Sequence, residues 1–290
     1  MASGSNKGTF AAFNPEAPIF EEIKKQKPEW WEIFRNDKEL YIHIRKDNYI
    51  SVYYNGHSVA KIEFKNGDFS AEIDEKFFPS KPNPNLSEIA KNLKNIKENI
   101  RKKYPNGNRE SEEPDEKWLQ SELILKNSNK YIDSEFEYKL DDDLVDLAKK
   151  YELKNDEDRK SLRLDLVELS SDGELSFTEL KGITDDRLLN KARSLTDEFI
   201  YQMEIYKRFI SKYESKFKDY YKELIKIKKD LQLDSPFVSN MNLTLNKTPN
   251  LLIIDTYQKD NEKRKNRIKD IKKSLEDHQI KYEIKSLSEI

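Results

Sequence analysis

The sequence predicts an α/β (α+β) fold: a mixed central sheet with an αβββαβ core flanked by helices, preceded by a small antiparallel β-meander. Residues 39–74 alternate apolar and polar side chains with a two-residue period, which is typical of half-buried strands. Residues 251–255, L-L-I-I-D, lack this alternation, which suits a strand covered on both faces. From residue 114 onward, helical and strand patterns alternate, which indicates one sheet with helices on both faces.

The N-terminal part is predicted to begin with a short helix around Pro28 to Phe34 and to continue as a four-stranded meander. The strands are divided by three residue pairs, namely Asp47-Asn48, Asn55-Gly56 and Asn66-Gly67. Asn-Gly tolerates positive φ at both turn positions, so these pairs predict tight hairpins. A proline-rich break over 78–85 then separates the meander from a basic helical stretch at about 86–104.

The C-terminal part opens at Pro114, and a helix should follow. Proline is favourable in a first helical turn because the N–H that it lacks would be unpaired there anyway. The later predicted elements are strand 131–138, a helical or loop excursion over 141–150, strands 162–169 and 175–181, a helical region over roughly 197–231 with room for a break, strand 251–255, helix 261–277 and a strand near 281–287. We therefore expect four segments: a disordered leader 1–15, a β-rich module 16–80, a linker with a basic helix 81–113, and a domain 114–290.

Composition limits the function without assigning one. The 290 residues carry 53 basic and 55 acidic side chains, so the formal charge of −2 neither favours nor opposes a polyanionic partner. Cysteine is absent, which excludes disulfides and thiolate metal sites and fits a reducing cytoplasm. No apolar run approaches the roughly 20 residues that span a bilayer, so we expect a cytoplasmic protein with no membrane partner.

The most informative stretch is the strand L-S-F-T-E-L-K-G, residues 175–182, because it directs an acid and a base to one side of the sheet. Glu179 and Lys181 are two residues apart and therefore share a face. On the preceding strand, S-L-R-L-D-L-V-E-L, Asp165 lies among leucines, a poor environment for a charge without compensation. A three-residue turn that pairs Ser170 with Glu174 puts Asp165 opposite Glu179, whereas a two-residue turn would put Leu180 there.

Two carboxylates in this arrangement indicate a divalent metal. Opposed residues of a hairpin have Cβ atoms about 5 Å apart, and two acids at that separation repel in a poorly solvated site. A cation between them would explain the pair. The carboxylates of Asp165 and Glu179, the backbone carbonyl of Leu180 and several waters suit Mg²⁺ or Mn²⁺. Lys181, one pleat beyond Glu179, could orient or deprotonate a water for phosphodiester hydrolysis.

The pattern D-x13-E-x-K on a hairpin between helices resembles the PD-(D/E)XK nuclease superfamily, which has the restriction-endonuclease-like fold. The resemblance covers roughly residues 114–290. It implies that Asp165 and Glu179 bind the metal and that Lys181 assists the attacking water. Leu164 stands where the proline of the motif name would be, so the chain departs from the family pattern there.

The resemblance implies two further site residues. Many members add a glutamate from the preceding helix, for which Glu116 is the first choice and Glu122 the second, while Glu135 on the neighbouring strand is a third. Members often carry a glutamine in the helix after the hairpin, and Q-M-E-I-Y supplies Gln202. Without the resemblance, Glu116 is also explained by the favourable position of an acid at a helix N-terminus, and Gln202 by a polar helix face.

Basic residues near the hairpin are candidates for phosphate contacts. Lys207 and Arg208 interleave with aromatic residues, while Arg187 and Arg163 flank the hairpin. The densest positive run, K-R-K-N-R-I-K-D-I-K-K over 263–273, is first interpreted as a solvated helix face, although it could also meet phosphates.

We expect a Mg²⁺-dependent nuclease with nucleic acid as its partner. The resemblance favours DNA over RNA, since most members act on DNA, and suggests restriction, phage defence or repair as the setting. Cleavage of both duplex strands needs two active sites, so a homodimer or larger assembly is plausible. E-x-K alone is a weak signal, since it occurs seven times in the chain. The alternative is a non-catalytic nucleic-acid-binding or protein-interaction module on the same fold.

Overall fold

The computed structural model describes residues 13–79, 83–105, 114–139, 144, 161–239 and 241–290. These residues form eight α-helices, a four-stranded antiparallel sheet and a six-stranded mixed sheet, which confirms the predicted mixed α/β class. Residues 1–12 of the predicted leader lie outside the described residues. The predicted excursion over 141–150 also lies outside them, apart from Leu144. No helix in the described part of the chain is both long and apolar enough to cross a bilayer.

The chain divides into two compact units. The N-terminal unit consists of Ala11–Ile132 and Asp219–Phe237, and the hairpin unit includes Asp133–Lys218 and Val238–Ile290. The helices are α1 (Pro18–Gln26), α2 (Glu29–Asn36), α3 (Leu86–Lys91), α4 (Leu93–Lys103), α5 (Glu116–Lys126), α6 (Asp197–Lys212), α7 (Glu214–Asp230) and α8 (Glu262–Asp277). This division groups α5 with the meander, whereas the sequence prediction placed it at the start of the C-terminal domain.

The meander of the N-terminal unit has the predicted order β1-β2-β3-β4. Its strands are β1 (Tyr41–Arg45), β2 (Tyr49–Tyr54), β3 (His57–Lys65) and β4 (Asp68–Glu72). Positive φ angles occur at Asn55 (48°) and Gly56 (76°), and again at Asn66 (55°) and Gly67 (86°). Both Asn-Gly pairs therefore form the tight turns that the sequence predicted.

The helices of the N-terminal unit follow the pattern of buried apolar side chains with two differences from the prediction. Helix α1 was missed; Pro18 occupies its first position and Phe20 and Ile23 are buried. The basic stretch forms two helices, since α3 ends before Asn92 and α4 begins after it. Asn85 caps α3 by accepting a hydrogen bond from the backbone of Glu88.

The sheet of the hairpin unit has the strand order β10-β9-β7-β6-β5, with β8 beside β7. The strands are β5 (Tyr131–Lys139), β6 (Ser161–Leu169), β7 (Glu174–Gly182), β8 (Thr244–Leu245), β9 (Asn250–Asp255) and β10 (Tyr282–Ser286). Strands β6 and β7 are antiparallel, whereas β9 runs parallel to both β7 and β10. The apolar stretch Leu251–Ile254 of β9 is interior to the sheet, as its sequence predicted.

Aromatic packing joins the helices of this unit to its sheet. Phe217 is fully buried, and its ring centroid lies 4.7 Å from that of Phe177 on β7 and 5.4 Å from that of Phe209 on α6. Phe136 on β5 completes the group at 5.3 Å from Phe217. Buried aromatic rings at these separations contribute packing energy beyond their buried area, so the cluster holds α6 against the strands that carry the site.

Candidate active site

The β6–β7 hairpin has the predicted turn length. Ser170 and Glu174 pair across a three-residue turn, with the Ser170 N–H donating to the Glu174 carbonyl at 3.0 Å. Gly173 takes a left-handed φ of 84°, which suits the last position of such a turn. The ladder continues through Leu169↔Leu175 to Leu166↔Thr178, and the next pair in this register is Asp165 with Glu179.

The two carboxylates meet the ammonium of Lys181 on one face of the hairpin. Lys181 Nζ lies 2.7 Å from Glu179 Oε1 and 3.7 Å from Asp165 Oδ2, and it also donates to the Leu180 carbonyl at 2.6 Å. The Leu180 N–H donates to Asp165 Oδ2 at 3.0 Å. The side chains of Glu179 and Lys181 are 2% and 3% exposed and that of Asp165 is 13% exposed, so the site opens to solvent at Asp165.

The surroundings of Asp165 shift its pKa. Burial and the negative charge of Glu179 raise the pKa of Asp165 to about 7, although Lys181 and the Leu180 N–H act to lower it. Two acids share one ammonium, so the cluster carries an excess negative charge when both acids are ionised. A buried acid that retains its proton to neutral pH is a common feature of functional sites.

Glu179 is oriented from helix α6. Gln202 donates its side-chain amide to Glu179 Oε1 at 2.8 Å, on the same oxygen that Lys181 contacts. The second oxygen, Oε2, is buried and has no hydrogen-bond partner among the described residues. A buried carboxylate oxygen without a donor is costly, which leaves this atom suited to bind a cation.

Tyr206 is a site residue that the sequence analysis missed. Its hydroxyl accepts a hydrogen bond from Gln202 at 2.7 Å and donates to the backbone carbonyl of Arg163 at 2.5 Å. Burial, with the negative charges of Glu179 and Asp165, raises the Tyr206 pKa well above its ordinary value, so the hydroxyl remains a donor. The four-residue spacing from Gln202 was the available signal, because it places both side chains on one helix face.

The donor set fits a hard divalent cation that keeps several waters. Asp165 and Glu179 supply two carboxylates, and Oε2 of Glu179 is a buried acceptor with no hydrogen-bond partner among the described residues. The described residues contain no cluster of three or more His, Cys, Asp or Glu side chains with metal-binding geometry. Two carboxylates completed by water and backbone oxygens match the coordination that Mg²⁺ prefers, and a third acid is not required.

The candidates for an additional acid fall in different units. Glu116 is the first residue of α5, and Glu122 lies on the same helix, so both belong to the N-terminal unit. Glu135 lies on β5 in the hairpin unit, where its carboxylate is 3.5 Å from the Arg163 guanidinium. Glu135 has a left-handed φ of 52°, which is uncommon for a non-glycine residue within a strand.

The predicted phosphate-binding residues differ in their surroundings. Arg163 is 57% exposed, lies two residues before Asp165 on the same face of β6, and has its guanidinium 3.5 Å from the Glu135 carboxylate. Arg187 forms an ion pair with Asp185 at 2.7 Å, and Arg208 forms one with Glu204 at 2.7 Å, so both guanidinium groups have acidic partners. Lys207 is exposed on α6. Their role in binding nucleic acid stays a prediction.

Comparison with models of known protein families, with curated proteins and with solved structures found no match in any of the three. The chemistry of the site therefore follows from its own residues.

Proposed function

We propose that the protein is a metal-dependent nuclease that hydrolyses phosphodiester bonds, with Mg²⁺ or Mn²⁺ as its cofactor. The observation that carries this proposal is Oε2 of Glu179, which is buried without a donor among the described residues and lies beside a second acid, Asp165. Both acids contact the ammonium of Lys181. A structural salt bridge would leave no such atom, because burying an unsatisfied acceptor is destabilising.

Each residue of the cluster has a distinct role in this proposal. Asp165 and Glu179 would hold the ion, with the Leu180 backbone carbonyl as the predicted third ligand. When bound, the ion supplies Lewis-acid stabilisation of the phosphoryl group and makes a nearby water more acidic. Lys181, which already contacts acceptors on three sides, acts as a hydrogen-bond donor that orients the attacking water and stabilises developing negative charge.

Helix α6 positions the metal-binding acid. Gln202 holds Glu179 Oε1, and Tyr206 fixes the Gln202 amide by accepting one of its N–H groups. Tyr206 in turn bonds to the β6 backbone at Arg163, two residues before Asp165, so helix and hairpin are locked to one another at the site. Because Gln202 and Lys181 both contact Oε1 of Glu179, Oε2 is the oxygen that would bind the cation.

DNA is the proposed substrate, with RNA as the competing polyanion, and the proposed setting is restriction, phage defence or repair in the cytoplasm. Arg163 is the first proposed phosphate contact, because it is exposed and lies two residues before Asp165 on the same face of β6. A homodimer or larger assembly would supply the second active site that double-strand cleavage needs.

The test measures cleavage of plasmid and single-stranded DNA, and of RNA, by the purified full-length protein with Mg²⁺, Mn²⁺ or EDTA. We expect cleavage that requires the metal and falls at least about 100-fold in Asp165→Asn, Glu179→Gln and Lys181→Ala. Glu174→Gln is the matched control, because Glu174 is an exposed acid on the same strand and lies outside the cluster. Equal cleavage by the wild type and Lys181→Ala would reject the proposed site.

The second candidate is a non-catalytic nucleic-acid-binding or protein-interaction module. It is favoured by the contact of Lys181 with both carboxylates, since an ammonium there performs part of the compensation that a metal would provide. This candidate predicts no cleavage of any nucleic acid and nucleic-acid binding that survives Lys181→Ala. The same panel of variants therefore separates the two functions.

A further inference from the structure

The basic run 263–273 forms most of α8, and the structure separates its arginines from its lysines. Arg264 pairs with the buried Asp255 at the end of β9, with Nη2 to Oδ2 at 2.6 Å. Arg267 donates to the backbone carbonyls of Ile183 at 2.7 Å and Asp185 at 2.9 Å. The two arginines therefore anchor the helix to the sheet and explain only part of the positive charge.

Three of the five lysines in the run lie on the side of the helix opposite the two arginines. Lys269, Lys272 and Lys273 are exposed, and none has an ion-pair partner among the described residues. Lys269 lies three residues before Lys272 and four before Lys273, spacings at which like charges on a helix repel. We call these three residues the lysine row. Their arrangement destabilises the isolated helix, in the same way that the two acids destabilise the hairpin.

Helix stability does not account for the lysine row either. Lysines are favourable in the last turn of a helix, but the last turn of α8 contains Glu276 and Asp277 and no basic residue. Lys272 precedes Glu276 by four residues, the weaker of the two orders for an ion pair, and Glu276 instead accepts a hydrogen bond from the Tyr282 hydroxyl. Asp277 follows Lys273 by four residues in the same weaker order, and no ion pair joins either acid to the row among the described residues.

We propose that the lysine row binds the phosphate backbone of the nucleic acid outside the active site. Lys269 and Lys273, the ends of the row, are four residues and about 6 Å apart along the helix axis, which spans about two phosphates of one strand. Exposed ammonium groups without acidic partners are the groups that release counterions from a polyanion. The inference rests on the proposed function for the identity of the polyanion, and it extends the substrate contact beyond the catalytic cluster.

The position of the row relative to the hairpin is fixed within one unit. Ile183, which Arg267 contacts, follows Lys181 by two residues, or about 7 Å of extended strand. Lys269 follows Arg267 by two residues on α8. The row therefore belongs to a helix that is tied to the chain two residues beyond Lys181. A short oligonucleotide could fill the active site without reaching the row, whereas a long duplex could contact both.

The experiment measures the affinity of a fluorescent duplex of about 30 base pairs, roughly three helical turns, as a function of salt. The full-length Glu179→Gln protein is the background, so that the DNA stays intact. The variant Lys269→Gln/Lys272→Gln/Lys273→Gln should reduce the slope of log K against log salt by about 2–3, since each lost phosphate contact contributes about 0.9. A duplex of about six base pairs should show a smaller reduction.

The matched control is Lys91→Gln/Lys94→Gln/Lys102→Gln, which removes three exposed lysines from α3 and α4 and changes the net charge equally. An equal slope change in both triple variants, or none in the α8 variant, overturns the inference. If the wild type cleaves in a metal-dependent way but the α8 triple variant leaves the salt slope unchanged, the proposed function stands and the row is rejected. If the triple variant lowers the salt slope but the wild type cleaves no nucleic acid, the row stands and the proposed function is rejected. Circular dichroism of each variant checks that α8 still folds.

Discussion

Asp165 occupies a position that stability alone does not explain. It lies on β6 between the fully buried Leu164 and Leu166, and burial together with Glu179 raises its pKa to about 7. The folded protein therefore holds this proton up to about pH 7, whereas an unfolded chain releases it near pH 4. Because the folded state binds more protons across this window, the free energy of unfolding falls as pH rises through it.

Replacing Asp165 by Asn should therefore stabilise the metal-free protein at high pH. In EDTA at pH 8 we expect the free energy of unfolding of Asp165→Asn to exceed that of the wild type by about 1–4 kcal/mol, with a smaller difference at pH 5. The amide can still accept from the Leu180 N–H, so the backbone contact is kept. Chemical denaturation at the two pH values measures the difference. A variant no more stable than the wild type at pH 8 would contradict the assigned repulsion.

Asp185→Asn is the control of opposite sign. Burial raises the pKa of Asp185, but the hydrogen bonds and charge of Arg187 outweigh it, so its pKa is lowered overall. The stability that Asp185 contributes is present above its unfolded pKa and is lost as pH falls. We therefore expect Asp185→Asn to be less stable than the wild type at pH 8.

Single residues also show where sequence reasoning succeeds. Asp165 and Glu179 could be paired from the sequence, because turn length determines hairpin register and Gly173 indicates that length. Tyr206 could not be found in this way. An aromatic residue on an amphipathic helix is indistinguishable from a core residue until the structure shows which part of the helix crosses the strand backbone.

At the scale of elements, the turns of the meander are specified by their own residues and by what they pack against. Gly56 and Gly67 both follow an asparagine and both have positive φ, at 76° and 86°. A Cβ at Gly56 would lie 2.6 Å from the Lys117 carbonyl oxygen on α5, whereas one at Gly67 would have no atom within 4 Å. The β2–β3 turn therefore packs against the first turn of α5, whereas no atom packs against the β3–β4 turn at Gly67.

These two glycines give a matched pair of substitutions. Gly67→Ala should destabilise the protein by about 1–2 kcal/mol through the left-handed backbone alone. Gly56→Ala has the same strain and also meets the Lys117 backbone, so we expect it to cost about 1–3 kcal/mol more. Urea unfolding of both variants measures the difference. Equal losses would show that the turn can move away from α5 without cost.

Helix limits were less predictable than strands. The strand limits followed from turn residues such as Asn66 and Gly67, whereas the break at Asn92 divides a stretch whose apolar periodicity continues across it. Asn92 uses its side chain to bond the Glu88 carbonyl, a local contact that competes with the helix and leaves no trace in hydrophobic periodicity.

At the scale of the whole molecule, the compact units depend on packing partners that periodicity does not report. The sequence marked a boundary near Pro114, where composition changes. The structure groups α5 with the meander, in agreement with the close approach of Gly56 to the Lys117 backbone. Pattern analysis identified α5 as a helix, but which sheet it covers depends on contacts between residues that are distant in sequence. The roles predicted for the segments on either side of Pro114 stay predictions.

Metal binding should be measurable as a change in the stability of the intact protein. Excess Mg²⁺ should raise the unfolding temperature of the wild type at pH 8, because a ligand that binds only the folded state stabilises it by mass action, about 2.7 kcal/mol at 100 times Kd. The increase should disappear in Asp165→Asn and Glu179→Gln and shrink at pH 5, where a proton on Asp165 competes with the ion. Scanning calorimetry with EDTA controls measures it. An unchanged increase in both variants would place the ion elsewhere.

The three-residue connection between β6 and β7 has a consequence for how the protein can vary. Ser171 and Asp172 are exposed and far from any chemistry, yet they set the phase of the two strands. If the turn keeps its three residues, adding or removing one residue there would bring Leu180 or Thr178 opposite Asp165 and turn Glu179 to the other side of the sheet. The length of the loop, more than its composition, therefore helps to set the geometry of the candidate site.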